Sequence, residues 1–356
     1  MLLVPLAAGV HLLAARAPQA VERWFAGSLY PGVAAGLSAL SGLVRFSAAE
    51  WLAGAVLLGT PAGGIALFVL SRRGGAGWLR AVAAVLGLWL ALAGGLYLAF
   101  LLSWGLNHQR PPLAKLIGLD SEPGGVEELR RLCEELAAEA DAAREGLPED
   151  AAGVMRLEGG LEAAMQRAGR GFRAPELAEL PFAAAAARAA PKLPLVSPLL
   201  WRAGISGIYV PFTGEAHVNA TLPHPDVPFA ACHELAHLAG FAREDEASYV
   251  GYRACRAHPD PDFRYSALFA ASLYAAAALA RVDREQYEEV SAVRSPAVRR
   301  DVEAVWTWSR RYQGAVRRTA ERVNDGYLKS QGHALGIRSY GRMVDLMLAE
   351  RRRARP

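Results

Sequence analysis

Apolar and polar residues divide this chain into two regions before any motif is considered. From Glu50 to Leu70 almost every position is apolar, and Arg72 and Arg73 close the run. From Ala81 to Trp104 no charged residue occurs. Each run is long enough to cross a hydrocarbon core of roughly 30 Å, so 50–70 and 81–104 predict transmembrane helices. Residues 1–15 are apolar but short. They read as a further span, with a signal-peptide core ending at Ala15-Arg16-Ala17 as the alternative. The lack of basic residues ahead of the run favours an uncleaved anchor. Residues 28–44 are apolar yet rich in Gly and Ser, which suits an interfacial or partly inserted helix. The membrane region is therefore 1–104.

After Trp104 the pattern becomes that of a folded domain, 105–356. Stretches 125–145 and 160–168 carry the Ala, Glu and Arg of helices, and Pro191, Pro194 and Pro198 punctuate a connection. Gly204–Asn219 reads as two short strands turning around Phe212-Thr213-Gly214. Residues 264–281 match a membrane span in length, but their Ala content and the Ser and Tyr among them suit a buried helix. Helices follow over 284–292, 296–327 and 338–352. The expected class is mainly α (α+β): N-terminal transmembrane helices, then a mostly helical domain with a small sheet.

Composition adds orientation and removes one class of partner. The chain of 356 residues is 53% hydrophobic and 21% charged, with a mean hydropathy of +0.13. Arg72, Arg73 and Arg80 flank the short loop between the two clear spans, and positive charge in short loops marks the cytoplasmic side. The last span then runs outward, which makes 105–356 extracytoplasmic. A net charge of +4 and a basic tail, Arg351–Arg353 with Arg355, describe a solvated terminus and give no case for nucleic acid. The lipid bilayer is the expected partner, and the oligomeric state stays open. Cys133, Cys232 and Cys255 form no disulfide framework and read as free buried thiols, although a bridge between Cys232 and Cys255 is conceivable.

The densest chemistry lies in His233-Glu234-x-x-His237. Residues i and i+4 share one helical face, so both imidazoles can hold one metal ion, with Glu234 placed to take a proton from a water beside it. Asp226 and Pro228 suit a helix start, and Gly240 suits its end. His217 reads as a strand residue, and Ala216–Ala220 as an edge strand that could pair with an extended peptide.

Glu244 begins Glu-x-x-Ala-Ser, which resembles the Glu-x-x-Ala-(Asp/Asn) helix of gluzincin zinc peptidases. The resemblance implies Glu244 as third ligand, with Glu246 as the fallback. His-Glu-x-x-His-x-x-Gly is also similar to the metzincins, whose third ligand would fall at Arg243, a residue that cannot bind zinc. More broadly, Trp104-Gly-Leu-Asn107, Gly207-Ile-Tyr-Val-Pro-Phe-Thr-Gly-Glu-Ala216, the metal motif, Asn324-x-x-Tyr327-Leu-Lys and Ser339-Tyr340-Gly341 resemble an uncharacterised family of bacterial membrane proteins with a zincin-type motif. The resemblance implies a zincin-like domain whose sheet lies beside the metal helix, in a multi-pass protein of the bacterial cell membrane.

The expected activity is zinc-dependent hydrolysis of peptide bonds in a peptide or protein substrate, with one Zn²⁺ per chain on His233, His237 and Glu244. Glu234 is the expected general base, and Tyr340, then Tyr327, the candidate oxyanion donors. The alternative is a non-catalytic membrane protein with a structural or degenerate zinc site.

Overall fold

The computed structural model describes residues 2–354 except 179, 181, 182, 312, 334 and 337–341. The protein is mainly α with a little β. It forms two compact units, Met1–Arg110 with Val210–Glu215, and Pro111–Tyr209 with Ala216–Pro356.

The first unit is built from apolar helices α1 (Leu3–Arg16), α2 (Tyr30–Gly42), α3 (Ala48–Arg73) and α4 (Trp78–Ser103). Helices α3 and α4 are long and apolar enough to cross a membrane, and few of the residues in their most apolar windows are buried in protein. They mark the chain as a membrane protein. Helix α1 packs on α4 where Gly94 leaves no room for a side chain, since a Cβ there would stand 2.7 Å from Val4 N. Close approach over small residues is how helices associate in lipid, where no hydrophobic gain drives them together. His11 Nδ1 and Tyr97 Oη, 3.0 Å apart, pin the same pair.

Helix α3 is well capped. Ser47 Oγ accepts the Glu50 N–H, and the buried carboxylate of Glu215 accepts from Ala48 N at 3.0 Å and Ala49 N at 2.7 Å. These bonds satisfy amides that a helix start leaves open. Ahead of α2, where only an interfacial helix was expected from residue 28, the chain runs as a π-helix over Val21–Leu29. Glu22 on that π-helix holds Arg110 through two bonds, Nε–Oε2 at 2.7 Å and Nη2–Oε1 at 3.2 Å.

The second unit begins with α5 (Val126–Arg144), and among its described residues the one sheet is the hairpin β1 (Gly207–Val210) and β2 (Glu215–Val218), whose tip, 210–215, groups with the first unit. Then come α6 (Val227–Leu238), α7 (Glu244–Arg256) and α8 (Pro261–Val282). Helix α8 packs on α5, α6 and α7, around a core that includes Phe241, Tyr249, Tyr252, Phe263, Tyr265 and Phe269. It has the length and apolarity of a span, but most of it is buried in protein, as its Ser and Tyr residues predicted.

The stretch 296–327, expected as one helix, is broken. Helix α9 (Pro296–Arg310) ends ahead of Gln313 and Gly314, and α10 (Ala315–Ser330) starts anew. Gly is a poor helix former, and two separate helices can choose separate packing directions. Helix α11 (Met343–Ala354) ends the described chain.

Candidate metal centre

Helix α6 places His233 and His237 on one face because they are four residues apart. Their rings lie 4.7 Å apart, edge to face. The helix then ends in a Schellman turn. Gly240 takes φ +95°, which its missing Cβ permits. Gly240 N–H donates to His237 O and Phe241 N–H to Ala236 O, the paired bonds that define this ending. The turn presents the Phe241 carbonyl 2.7 Å from His237 Nδ1. That contact fixes a proton on Nδ1 and makes Nε2 the nitrogen that faces the site.

Three residues later α7 opens with Glu244. Its Oε2 lies 3.3 Å from His233 Nε2 and 3.5 Å from His237 Nε2. Among the described residues, these three side chains form the one His/Cys/Asp/Glu group close enough to share an ion, with all ligand atoms within 4.8 Å of one another. Bonds of about 2.0–2.1 Å at tetrahedral angles separate two ligand atoms by about 3.3 Å, which both Glu244 contacts match. Glu244 Oε2 is buried and makes no hydrogen bond of good geometry. Two imidazole nitrogens and one carboxylate oxygen are a donor set suited to a divalent transition ion. The residues fit such an ion.

The electrostatics agree. Burial pulls the His237 imidazole down, but the Glu244 carboxylate more than offsets this and the group is pushed up to about 9. Burial likewise opposes the Glu244 charge, yet His237 and His233 hold that carboxyl well below its usual range. The cluster therefore calls for a positive charge at its centre.

Glu234 lies beside this centre, buried. Burial raises its carboxyl, while His233 and His237 draw it part of the way back. Its neighbour is β1. The Tyr209 N–H donates to the Glu234 carboxylate, and Gly207 packs so closely that a Cβ there would stand 2.5 Å from Glu234 Oε1. The Tyr209 ring stacks on His237 at 6.5 Å.

This corrects the expected edge. Ala216 O and Val218 N of β2 are already paired with Lys192 N and O, so β2 has a neighbour on each side and β1 is the strand beside the metal helix. His217, on β2, has Nδ1 3.3 Å from Ile208 O.

Glu246, the fallback ligand, is turned away. Its Oε1 accepts the Leu113 N–H at 2.7 Å and lies 3.7 Å from Arg243 Nε. Tyr340 lies outside the described residues, and Tyr327 is half-buried on α10. Cys133, Cys232 and Cys255 are free and buried.

Several further residues support the site. Ser248 Oγ lies 3.3 Å from His233 Nδ1, and Tyr274 of α8 bonds to Ser248 in turn. Gly251 of α7 meets α6 so tightly that a Cβ would stand 2.9 Å from His233 N and Cα. His333 is buried, and burial together with the nearby Arg243 charge brings it down to about 4, with Glu244 opposing. Ser248 sits in the motif and could be weighed from its position. Tyr274, Gly251 and His333 join the site through tertiary packing alone.

A family model described as "Protein of unknown function (DUF3810)" matches residues 25–348, and the chain belongs to that family. No curated protein and no solved structure matches the chain.

Proposed function

We propose that this protein is a membrane-anchored, zinc-dependent metallopeptidase whose ion is held by His233, His237 and Glu244. The observation that carries the reading is the convergence of these three donors beside a buried Glu234, in the order and spacing of a hydrolytic zinc site. Zinc, when bound, supplies Lewis acidity toward a carbonyl and acidifies a water. The chain's own residues do the rest. Glu234, raised by burial, accepts the proton of the attacking water and returns it to the departing amine nitrogen. The Tyr209 N–H holds the Glu234 carboxylate in place, and the Phe241 carbonyl and Ser248 Oγ orient the two imidazoles. The Arg72, Arg73 and Arg80 loop favours a cytoplasmic side for the α3–α4 connection and hence an outward-facing site in a bacterial cell membrane.

The test is metal content and peptide hydrolysis of the purified full-length chain. Glu234→Gln retains one zinc per chain and loses about 10²–10⁴-fold in hydrolysis. His233→Ala and Glu244→Ala lose the metal. Stoichiometric zinc in Glu244→Ala removes the assigned ligand. Wild-type protein that binds zinc yet hydrolyses no better than Glu234→Gln holds a structural ion instead.

A further inference from the structure

One corner of the second unit gathers its tryptophans. After Trp104 the chain has three tryptophans, Trp201, Trp306 and Trp308, and all lie here. The short helix Ser197–Ala203 adjoins α9 and α10. Trp201 Nε1 donates to Trp308 O at 3.1 Å, the Arg311 guanidinium stands 5.5 Å over the Trp201 ring, and Arg310 stands 5.4 Å over Trp306. Arg317 of α10 packs against Gly204 and donates to Ser309 O.

Apolar side chains project from these same elements. Leu195 is 86% exposed, Leu199 59%, Val316 58% and Val323 67%. Grouped exposed apolar residues mark an interaction site.

We propose that this corner is a second membrane contact, which seats the soluble unit on an anionic lipid surface through Leu195, Leu199, Val316 and Val323. Three features favour lipid as the occupant. Apolar residues edged by Trp and Arg follow the chemistry of the bilayer boundary, where indole rings sit at headgroup level and Arg reaches phosphate. Across 197–203 and 296–330, Arg and Lys outnumber Asp and Glu nine to four, a cation excess that complements anionic headgroups. Finally, only Trp104–Arg110, wound as a 3₁₀ helix over Gly105–Gln109, separate α4 from the start of the second unit at Pro111. The bilayer is thus the one large apolar surface always within range. The contact stands whether or not the metal centre is hydrolytic.

Site-directed fluorescence of the full-length chain tests it. The native cysteines are buried, so an environment-sensitive thiol dye reports from Leu199→Cys, Val316→Cys and, on the exposed face of helix Arg284–Ala292, Glu285→Cys. The labelled proteins are reconstituted in vesicles of phosphatidylcholine and phosphatidylglycerol with a shallow spin-labelled lipid. The expected result is loss of emission at positions 199 and 316 but not at 285, weakened when phosphatidylglycerol is omitted. Emission at 199 and 316 that resists the lipid quencher and falls with aqueous iodide as at 285 overturns the proposal. Shielding from iodide without lipid quenching also overturns it and assigns the corner to a protein partner.

Discussion

Helices α3 and α8 have comparable apolar character and opposite surroundings. The most apolar window of α3 has a mean hydropathy of 1.9 with 6% of it buried, and that of α4 has 2.2 with 11%, whereas that of α8 has 1.3 with 61% buried. The difference lies in the polar residues each contains. Helix α8 uses Ser266 Oγ to accept the Phe229 N–H in the first turn of α6 and Tyr274 to bond Ser248 behind His233. Helix α3 presents Leu57, Leu58 and Ile65 outward. Where an apolar run spaces hydroxyls toward neighbouring helices, protein rather than lipid is its solvent. Hydropathy is lower in α8, yet both helices are apolar enough for a span, and the hydroxyls of α8 that bond to neighbouring helices mark it as buried.

The comparison breaks first, and hardest, under a buried charge. Ala271 of α8 is fully buried, so Ala271→Arg leaves an unpaired guanidinium in the core and costs upward of about 4 kcal/mol, enough to unfold the second unit. Leu57→Arg, on the exposed face of α3, leaves metal content and melting of the second unit in detergent unchanged. Equal losses in thermal-melting assays would erase the distinction between the helices.

A smaller change separates α6 from α7 without a charge. Gly251→Val drives side-chain atoms into His233 main chain and displaces Glu244 from the imidazoles. We expect zinc affinity, read by competition with a chelating dye, to fall by about 10³-fold, since a ligand must hold its distance to within about 0.2 Å. An unchanged affinity would show that the helices can part without moving the donors.

Ser248→Ala leaves every ligand in place and removes the partner of His233 Nδ1, at a cost of about 10–100-fold in zinc affinity. Tyr274→Phe, one bond further out on α8, should follow in the same direction with a smaller loss. If Tyr274→Phe is silent while Ser248→Ala is not, α8 supports the site by packing alone.

The mildest probe is pH. In the metal-free protein His237 sits up at about 9 against an ordinary 6.5. Its contribution to stability is therefore complete below about 6.5 and disappears as pH rises through about 9. Zinc must displace that proton, so affinity rises over the same interval, by up to about tenfold per pH unit. Calorimetric titration at several pH values reads both. Affinity flat between pH 7 and 9 would mean that His237 is already neutral.

The three side chains that converge, His233, His237 and Glu244, were legible in the sequence because their meeting depends on local spacing. Four residues set His233 over His237, and Gly240 supplies a turn that brings Glu244 back within two helical turns. The long apolar helices over 50–70 and 81–104 were legible for the same reason, as was the buried character of 264–281. The wrong strand was chosen as the open edge because Lys192, far back in the chain, occupies β2, and no local pattern shows a distant backbone pair. The π-helix at Val21–Leu29 escaped because its extra residue per turn leaves the apolar composition intact. The break between Arg310 and Ala315 is signalled by Gln313-Gly314, but the helical periodicity on either side hides it.

The Phe241 carbonyl, finally, makes the connection between His237 and Glu244 a ruler. The same short segment ends α6, orients one imidazole and delivers the carboxylate. Adding or removing a single residue between Ala239 and Arg243 would disturb all three together, whereas Gln313 and Gly314, between α9 and α10, position none of these three donors. Length variation among descendants of this chain should therefore accumulate between α9 and α10 and be purged between α6 and α7.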